Sequence, residues 1–457
     1  MQNRTGNRAG SSIVTAQIIP RAEHNISRKK ISDNALKVLY RLKKGGYEAY
    51  VVGGGVRDIL LGGEPKDFDI ATDARPEEVR ELFRNCRLIG RRFRLAHILF
   101  GPEVIEVATF RARGRANDDA AGEADRDVDD SGLILRDNVY GSMEEDAFRR
   151  DFTVNGLYYN IRDFSIVDYV GGMEDIRARR LRLIGDPEER YCEDPVRMLR
   201  AVRFAVKLDF EIDPATAAPL AGLADRLEDI PPARLFDEFL KLFLSGQALQ
   251  TFDELRRYDL FARLFPQAES AFATADGARY LDFVRAALAS TDERIARDKP
   301  VTPAFLLAAF CWGPIQEQAR WLEEEGNSRA EAQQIATSLV LERQQSRVSV
   351  PRRFGVVIRD IVHLQRRLEK RHGKRAMRLL GHPRFRAAYD ILVLRARAGD
   401  APEELARWWT DVQEMDDAAR NRAFLGQGGK SGKGDGRRRS RRGRRRGKGR
   451  EAASHGE

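Results

Sequence analysis

The sequence predicts an α+β fold, in which a mixed α/β head near residues 30–180 precedes an all-helical remainder. Short β-rich runs bounded by glycines occur before Leu183 and predict strands there. Beyond Leu183 these signals largely vanish, and helical periodicity dominates to about Met415. A chain of 457 residues is long enough for two or more domains with cores of their own.

The composition argues against several classes of protein. No apolar run is long enough to span a membrane, since the best candidate, residues 303–312, is too short. The N-terminus is polar and carries no signal-peptide pattern. Cys86, Cys192 and Cys311 are far apart and match no metal-binding pattern, so neither disulfides nor a zinc site is expected, and a cytoplasmic location is predicted.

The first elements are a leader, a helix and a strand. Residues 1–30 are polar and basic with little periodicity, which predicts a mobile leader. Asp33 is the predicted N-cap of a helix that extends through Lys44 and stops at glycines 45 and 46. A strand is predicted over residues 47–52.

The first candidate site follows this strand. Three consecutive glycines at 53–55 precede a short helix that is predicted over residues 56–61. Asp67 and Asp69 then flank Phe68. Side chains alternate along a strand, so the two carboxylates are expected on one face and the phenyl ring on the other.

These glycines and aspartates together indicate phosphoryl chemistry. Two adjacent carboxylates repel each other unless a cation lies between them, and Mg²⁺ takes oxygen ligands that are often completed by substrate phosphates. Glycines at a helix N-terminus let backbone N–H groups approach a phosphate closely. A nucleotide site with a pair of metal ions is therefore predicted. The alternative is an ordinary tight turn near an unrelated surface Asp-x-Asp.

The next elements are a helix that begins at Pro76 and three strands. The strands are predicted over residues 86–89, 94–100 and 103–110, with the last two joined as an antiparallel hairpin. Glu106 has apolar neighbours in the third strand, and a carboxylate there costs free energy unless it is paired or metal-bound. It is a candidate metal ligand, and the alternative is an ion pair with a nearby arginine: Arg91, Arg92 or Arg94.

The head is completed by a loop, a helix and a strand. Residues 112–132 are acidic and rich in glycine and alanine, which predicts a loop. Helical signal returns over residues 142–150, and a strand is predicted over residues 166–170.

A second informative helix is predicted to open with Asp194 as N-cap and Pro195 at its first position. Its basic residues recur at spacings of three, three and four, namely Arg197, Arg200, Arg203 and Lys207. A basic stripe facing a cleft suits a triphosphate, or a base edge read by Asp194 and Arg197 together. The alternative is a stripe exposed to solvent.

The helical remainder contains one more basic feature. A helix is predicted from about residue 231, and Trp312, Trp408 and Trp409 are predicted core residues. Residues 366–378 form a basic helical segment that either follows an RNA backbone or faces solvent.

The whole excess of positive charge lies near the C-terminus. Residues 437–450 contain ten Arg or Lys and no acid, and without them 70 basic residues balance 70 acidic ones. Such a segment cannot form a core and attracts polyanions, although a solubilising tail is the alternative. The candidate RNA-binding residues are Arg437, Arg438, Arg439, Arg441, Arg442, Arg444, Arg445 and Arg446.

Five motifs, in this order, resemble the class II nucleotidyltransferase superfamily of bacterial poly(A) polymerases and tRNA CCA-adding enzymes. They occupy residues 53–58 with 67–69, 106–111, 149–155, 168–172 and 193–204. The similarity extends over about residues 30–410. Residues 88–97, 373–376 and 382–390 resemble the polymerase branch, so poly(A) addition is predicted. A CCA-adding enzyme is the close alternative, and a non-catalytic RNA-binding protein is the alternative of another class.

The resemblance implies template-independent addition of AMP from ATP to RNA 3′ ends, for mRNA processing and turnover, by two-metal in-line transfer. The implied cofactor is Mg²⁺, with Mn²⁺ as the other ion. It also implies the following parts: a flexible leader at 1–30, a polymerase-β-like nucleotidyltransferase head at 31–180, a helical neck at 181–245 that binds nucleotide and RNA, a helical body and leg at 246–420 that binds RNA, and a disordered Arg-rich tail at 421–457.

The resemblance also implies roles for individual residues. Asp67 and Asp69 are the catalytic, metal-binding pair, and the third catalytic carboxylate is Glu106, which would also bind metal, or Asp151. The residues implied to bind the nucleotide are Gly53, Gly54, Arg57, Arg150, Asn155, Asp194, Arg197, Arg200 and Arg203.

Overall fold

A mixed sheet forms the centre of the head. The structure, a computed structural model, describes residues 15–90, 94–112, 126–128, 134–137 and 139–426. Its strands are β1 (Gln17–Ile19), β2 (Ala49–Val52), β3 (Asp69–Thr72), β4 (Cys86–Ile89), β5 (Leu95–Phe100), β6 (Glu103–Thr109), β7 (Arg126–Val128), β8 (Ile134–Asp137), β9 (Leu157–Asn160), β10 (Ile166–Asp168), β11 (Arg180–Leu181) and β12 (Glu211–Ile212).

Within these described ranges, eight strands form one sheet in the order β1-β10-β9-β2-β3-β6-β5-β4. Strands β3 and β6 are parallel, and the other neighbours in the sheet are antiparallel. The predicted hairpin of β5 and β6 is confirmed. The parallel pairing places Asp69 directly beside Glu106, although 37 residues separate them in sequence.

Helices pack against both faces of the sheet and form most of the chain after it. They are α1 (Asp33–Lys44), α2 (Gly54–Leu60), α3 (Pro76–Leu82), α4 (Met143–Arg149), α5 (Gly172–Ala178), α6 (Pro187–Glu193), α7 (Val196–Leu208), α8 (Pro214–Ala217), α9 (Pro232–Phe243), α10 (Ala248–Arg257), α11 (Leu260–Leu264), α12 (Pro266–Phe272), α13 (Gly277–Ala296), α14 (Pro303–Glu324), α15 (Arg329–Gln345), α16 (Arg352–Leu368), α17 (Lys374–Met377), α18 (Phe385–Arg397), α19 (Glu403–Glu414) and α20 (Asp417–Leu425). The predicted α+β class, with a mixed head before a helical remainder, is confirmed.

The predicted N-cap of α1 is wrong by one residue. Ser32, not Asp33, caps the helix, and its Oγ accepts a hydrogen bond from Ala35 N at 3.0 Å. Ser32 has the extended backbone that an N-cap requires. Asp33 instead lies in the first turn, where a negative charge is favourable for a different reason, the helix dipole.

Two segments predicted to lack structure contain strands. The predicted leader includes β1, which pairs with β10 and buries Ile19, so the leader is not mobile there. The predicted loop at 112–132 contains β7, which pairs with β8. Both strands have three residues, which are too few for a periodic pattern. The partner of β1 is distant in sequence, and the partner of β7 lies outside the predicted loop. Residues 1–14, 113–125 and the Arg-rich tail lie outside the described residues.

The basic segment at 366–378 is not one helix, contrary to the prediction. Helix α16 ends at Leu368, and α17 begins at Lys374, after Gly373 with a φ of 91°. A positive φ is compatible with glycine but ends a right-handed helix. Arg366 and Arg367 therefore lie in α16 and Arg375 in α17, while Arg371 lies in the link between the two helices.

The helical half has a large aromatic core. Phe310 of α14 has ring contacts with residues of three other helices and of the link between α11 and α12, namely Phe239, Phe243, Phe252, Phe261 and Phe265. Trp312 and Trp409 are buried, as predicted, while Trp408 is only partly buried. Across the described ranges, no helix combines the length and the apolar character needed to cross a bilayer.

Candidate active site

Gly53 forms the turn between β2 and α2. Its backbone has φ 70° and ψ −135°, a conformation that side chains disfavour. A Cβ placed on Gly53 would lie 3.4 Å from Arg150 Nη1 and 3.8 Å from Asp69 Oδ2. The bare backbone at the start of α2 therefore lies between a guanidinium and a carboxylate.

Asp67 and Asp69 share one face, as the sequence predicts. Both side chains are exposed, while Phe68 between them is buried. Strand β3 begins only at Asp69, so Asp67 belongs to the approaching loop rather than to the strand. Helix α2 packs closely on this segment, since a Cβ on Gly55 would be in van der Waals contact with Phe68 Cδ1 at 3.4 Å.

Asp69 is the most perturbed of these carboxylates. The surrounding protein desolvates it, and the negative charges of Glu106 and Asp67 add to this effect, so that its pKa rises to about 6 although Arg150 acts in the opposite direction. Its side chain is exposed but has three charged neighbours, namely Glu106, Asp67 and Arg150. A cation at this point would relieve the repulsion.

Glu106 lies on the same side of the sheet as Asp69. Its Oε1 is 3.1 Å from Nε2 of His97 on β5, in a contact that is not aligned as a hydrogen bond. Arg94, one of the predicted partners, has its Nη1 2.6 Å from Glu77 Oε1 instead. Arg91 and Arg92 lie outside the described residues. The carboxylate of Glu106 is about half exposed and remains open to further ligands.

The three predicted metal ligands do not form a ready-made cage. In the part of the chain that the structure describes, no group of three or more His, Cys, Asp or Glu side chains has metal-holding spacing. The donor set nevertheless fits a hard ion, because Mg²⁺ is commonly held by one or two carboxylates and completed by substrate phosphates. Asp69, with its raised pKa beside Glu106 and Asp67, offers such a position.

Arg57 is buried behind the glycine turn. Its Nη1 donates to Asn155 Oδ1 at 2.5 Å, and its Nε and Nη2 donate to Asp58 Oδ1 at 2.8 and 2.6 Å. Its Nη2 also lies 3.4 Å from the position of a Cβ on Gly54. Arg57 thus connects α2 with Asn155, another predicted nucleotide-binding residue.

Arg150 is held beside Gly53 by two residues that the sequence did not single out. Its Nε donates to Tyr158 OH at 3.0 Å, and its Nη2 donates to Asp146 Oδ2 at 3.0 Å. Burial opposes the positive charge, but Tyr158 and Asp146 outweigh it and raise the pKa of Arg150. Asp146 could have been suspected from its position four residues before Arg150. Tyr158 had no such signal.

Asp151 forms an ion pair with Arg200 and does not join the carboxylates of Asp67 and Asp69. Arg200 donates to its Oδ2 from Nε at 2.9 Å and also from Nη2. Asn155 Nδ2 and the Phe152 backbone N–H donate to its Oδ1 at 3.0 and 2.8 Å. Burial would raise the pKa of Asp151, but Arg200 and these hydrogen bonds outweigh it and lower the pKa.

The predicted base-reading pair has other partners. Asp194 Oδ2 accepts a hydrogen bond from Arg234 at 2.7 Å, and Arg197 Nη1 donates to Glu193 Oε2 at 3.1 Å and to the Arg190 carbonyl at 2.7 Å. Helix α7 also begins one residue later than predicted, at Val196, whose N–H donates to Asp194 Oδ1 at 3.3 Å. This shift follows from Pro195, which occupies the cap position itself.

Arg200 and Arg203 of the α7 stripe face the protein, contrary to the alternative interpretation, whereas Lys207 is exposed. Arg200 contacts Asp151, and Arg203 Nε lies 3.8 Å from Glu238 Oε2 on α9. Burial and the neighbouring Arg200 lower the pKa of Arg203. Lys207 Nζ is 3.5 Å from Asp58 Oδ2, so the last member of the stripe reaches α2.

Arg190 of α6 is a further structural residue at this site. It is buried, and its Nη2 donates to the carbonyls of Arg149 and Arg150 at 2.7 and 2.6 Å. These contacts hold the chain immediately before Asp151. No sequence signal identifies the carbonyls that a buried arginine will bind, because these carbonyls are about 40 residues away.

Three family matches cover much of the chain. The family described as "Poly A polymerase head domain" matches residues 49–182, and "Polymerase A arginine-rich C-terminus" matches residues 325–446. Residues 209–272 match "Probable RNA and SrmB- binding site of polymerase A". The first match contains the glycine turn and Asp67, Asp69, Glu106 and Asp151.

Curated relatives extend these matches to most of the chain. Poly(A) polymerase I of Salmonella typhi is 52% identical over 399 residues, which are 87% of this chain and 85% of the relative. The chain belongs to the poly(A) polymerase family. Membership makes it a nucleotidyltransferase that adds adenylate, as predicted.

The other branch of the superfamily is more distant. The CCA-adding enzyme of Bacillus subtilis is 35% identical over 251 residues, or 54% of this chain and 60% of the relative. The poly(A) polymerase I of Haemophilus influenzae, in contrast, is 49% identical over 87% of this chain and 88% of the relative. The prediction of the polymerase over the CCA-adding enzyme is confirmed.

Two solved structures share the fold of this chain. The Bacillus stearothermophilus CCA-adding enzyme in complex with CTP has a TM-score of 0.55 at 25% identity, covering 83% of this chain and 82% of its own. A tRNA nucleotidyltransferase complexed with a primer tRNA and an incoming ATP analog has a TM-score of 0.58 at 22% identity, covering 82% of this chain and 98% of its own. The second likeness concerns the fold alone.

Proposed function

We propose that this poly(A)-adding enzyme transfers AMP from ATP to RNA 3′ ends without a template, at the face shared by Asp67, Asp69 and Glu106. The observation that carries this proposal is the position of Asp69. It lies beside Glu106 in the sheet and across the Gly53 backbone from Arg150. The carboxylates of Asp69 and Glu106, which suit metal ions, and the guanidinium of Arg150, which suits a phosphate, thus lie near the glycine turn.

Asp67 and Asp69 would hold the divalent ions that nucleotidyltransferases of this kind generally use. Bound there, Mg²⁺ or Mn²⁺ would lower the pKa of the RNA 3′-hydroxyl and neutralise charge on the triphosphate and departing pyrophosphate. Glu106 is the better candidate for the third catalytic carboxylate, because it adjoins Asp69 and keeps its oxygens accessible. Asp151 is instead a positioning residue, since Arg200, Asn155 and a backbone N–H occupy its oxygens.

The nucleotide would lie over the glycine turn. Gly53 and Gly54 admit a phosphate close to the backbone, and Arg150 lies at contact distance from that position. Arg57 and Asn155 support the turn from the interior, while Arg200 and Arg203 supply positive charge from α7. Asp194 and Arg197 remain predicted base contacts. Both would have to exchange their present partners, Arg234 and Glu193, to read a base.

An elongation assay tests this function directly. The protein is incubated with an RNA primer, Mg²⁺ and each nucleoside triphosphate separately, and products are resolved one nucleotide at a time. A ladder with ATP and little extension with CTP, GTP or UTP is expected. A tRNA lacking its terminal CCA is the matched substrate: ordered addition of C, C and A followed by arrest would contradict the proposal.

Gly53→Ala tests the role of the turn. We expect a loss of about 1–2 kcal/mol in unfolding free energy, because the positive φ strains alanine. We also expect a fall of roughly a hundredfold in kcat/KM for ATP, because the new Cβ obstructs the phosphate. Gly62→Ala is the control, since Gly62 also has positive φ but nothing within 4 Å. It should lose similar stability and keep full turnover, and equal turnover of the two variants would refute the phosphate role of Gly53.

A further inference from the structure

A groove remote from the carboxylates lies among helices α13, α14, α16 and α18. Its volume is about 430 Å³, within the range of ligand-binding sites. Half-buried Phe305, Phe354 and Val357 supply apolar surface. The positively charged residues that line it are Arg294, Arg353, Arg384 and Arg386.

The charge of this groove is largely uncompensated. Among the described residues that line it, Asp390 is the single acid, and it is already paired with Arg386, 3.1 Å away, and with Arg294, 3.8 Å away. Arg353 and Arg384 are exposed, and neither has a carboxylate within ion-pair distance in the described part of the chain. The guanidinium of Arg353 lies 4.8 Å from the ring centre of Phe354. Two cations thus remain for a ligand, beside an aromatic surface.

The groove is connected to the nucleotide site through helix α9. The Phe354 ring packs against Phe236 of α9 with a centroid distance of 5.9 Å. Two residues to either side of Phe236, Arg234 contacts Asp194 and Glu238 approaches Arg203. One helix therefore supports the groove on one side and two members of the predicted nucleotide site on the other.

We propose that this groove is a second RNA subsite, which binds a nucleotide unit of single-stranded RNA upstream of the 3′ end that is extended. Arg353 and Arg384 contact the phosphates, and a base lies against Phe305, Phe354 and Val357. Guanidinium groups suit phosphates, and bases stack on aromatic and guanidinium surfaces without sequence preference. The proposal rests on the proposed function, because it takes RNA as the substrate.

An acidic peptide is the competing occupant. It would satisfy the two arginines but would leave the aromatic surface without a planar partner. RNA supplies both features in each nucleotide, so the combination of charge and ring favours RNA. The groove also lies outside residues 209–272, to which the RNA-binding family description applies.

The test compares two double variants of the full-length chain. The variant with both Arg353→Ala and Arg384→Ala, called the groove variant, lacks the two unpaired arginines of the groove. Arg343→Ala with Arg407→Ala removes the same charge from exposed positions on α15 and α19 that do not line the groove. Fluorescence anisotropy measures the Kd for a long single strand at several salt concentrations. Turnover is measured with that strand and with a primer of about five nucleotides, close to the smallest single-strand sites.

The groove variant should bind the long strand about tenfold more weakly than the control variant, with a log–log salt slope shallower by about 1.4 for two lost phosphate contacts. Its kcat at saturating RNA and its KM for the short primer should match those of the control. Ala387→Trp, which fills the groove without changing charge, should also weaken binding of the long strand but leave the salt slope unchanged.

Equal Kd values for the two double variants would overturn the proposal. An Ala387→Trp variant that binds the long strand as tightly as the wild type would also overturn it. The same holds if a poly-glutamate peptide binds the wild type and loses affinity in the groove variant while RNA does not. Failure of the proposed function has a different signature. The wild type would then bind RNA in the anisotropy assay but would not extend it with ATP.

Discussion

Asp69→Asn is expected to reduce adenylate transfer by at least about a thousandfold while the head stays folded. Metal-ion stabilisation of the transferring phosphoryl group contributes several kcal/mol, and each 1.36 kcal/mol corresponds to about tenfold in rate. The measurement is the single-turnover rate with saturating ATP, RNA and Mg²⁺. Asp67→Asn should show a loss of the same order, because both carboxylates are exposed beside the buried Phe68 and both are proposed to hold the metal ions.

The stability of Asp69→Asn separates a catalytic defect from a folding defect. In the folded, metal-free protein the pKa of Asp69 is raised to about 6, above its ordinary value of 3.8. Ionisation of Asp69 therefore costs stability as the pH rises from about 4 through 6, and asparagine avoids that cost. At pH 7.5 without metal, the variant should melt at or above the Tm of the wild type.

Glu64→Gln is the matched control for Asp69→Asn. Glu64 is an exposed acid in the loop that leads to Asp67, and the same loss of one negative charge there should leave turnover unchanged. Turnover of Asp69→Asn within tenfold of the wild type would eliminate the assignment of Asp69 as a metal ligand. A large drop in Tm would attribute the lost activity to folding.

Asp151→Asn is expected to destabilise the protein by about 2–3 kcal/mol and to impair ATP use. The substitution leaves the guanidinium of Arg200 without its anionic partner in a largely buried position, and removing one member of such a pair is costly. Urea unfolding at pH 7 measures the stability. The KM for ATP should rise, because Arg200 and Asn155 lose the carboxylate that orients them.

The pH dependence of this destabilisation has a defined sign. The folded protein lowers the pKa of Asp151, so the ion pair contributes stability above the ordinary pKa of an aspartate, and that contribution is lost as the pH falls toward the lowered value. The difference between wild type and Asp151→Asn should thus be largest near neutrality and shrink below about pH 4. A difference that grows on acidification would contradict the ion pair.

A double-mutant cycle and a metal titration define the role of Asp151. Adding Arg200→Gln to Asp151→Asn should restore part of the stability, since no charge is then left unpaired, whereas strictly additive losses would contradict coupling. The Mg²⁺ concentration for half-maximal turnover should rise in Glu106→Gln and stay constant in Asp151→Asn. The reverse result would make Asp151, rather than Glu106, the third metal ligand.

Much of the head follows from local sequence. The order of Asp67, Phe68 and Asp69 predicts which side chains are exposed and which is buried, although β3 begins only at Asp69. The hairpin of β5 and β6 follows from two β-rich runs around a Gly-Pro turn. Gly53 could be recognised because a strand, a glycine and a helix follow one another directly. Such features depend on periods of two or 3.6 residues and on turn chemistry, which a short window of sequence contains.

The sequence alone therefore determined the α+β plan, the carboxylate face and the glycine turn. The tertiary structure decided the partners: Arg200 pairs with Asp151 across 49 residues, and Arg234 pairs with Asp194 across 40. Because of these pairs, the carboxylate of Asp151 is bound to Arg200 rather than free, and the carboxylate of Asp194 is bound to Arg234 of α9. Spacing and propensity describe only neighbours along the chain, whereas these contacts form when helices distant in sequence pack against the head and bury charges that must then be paired.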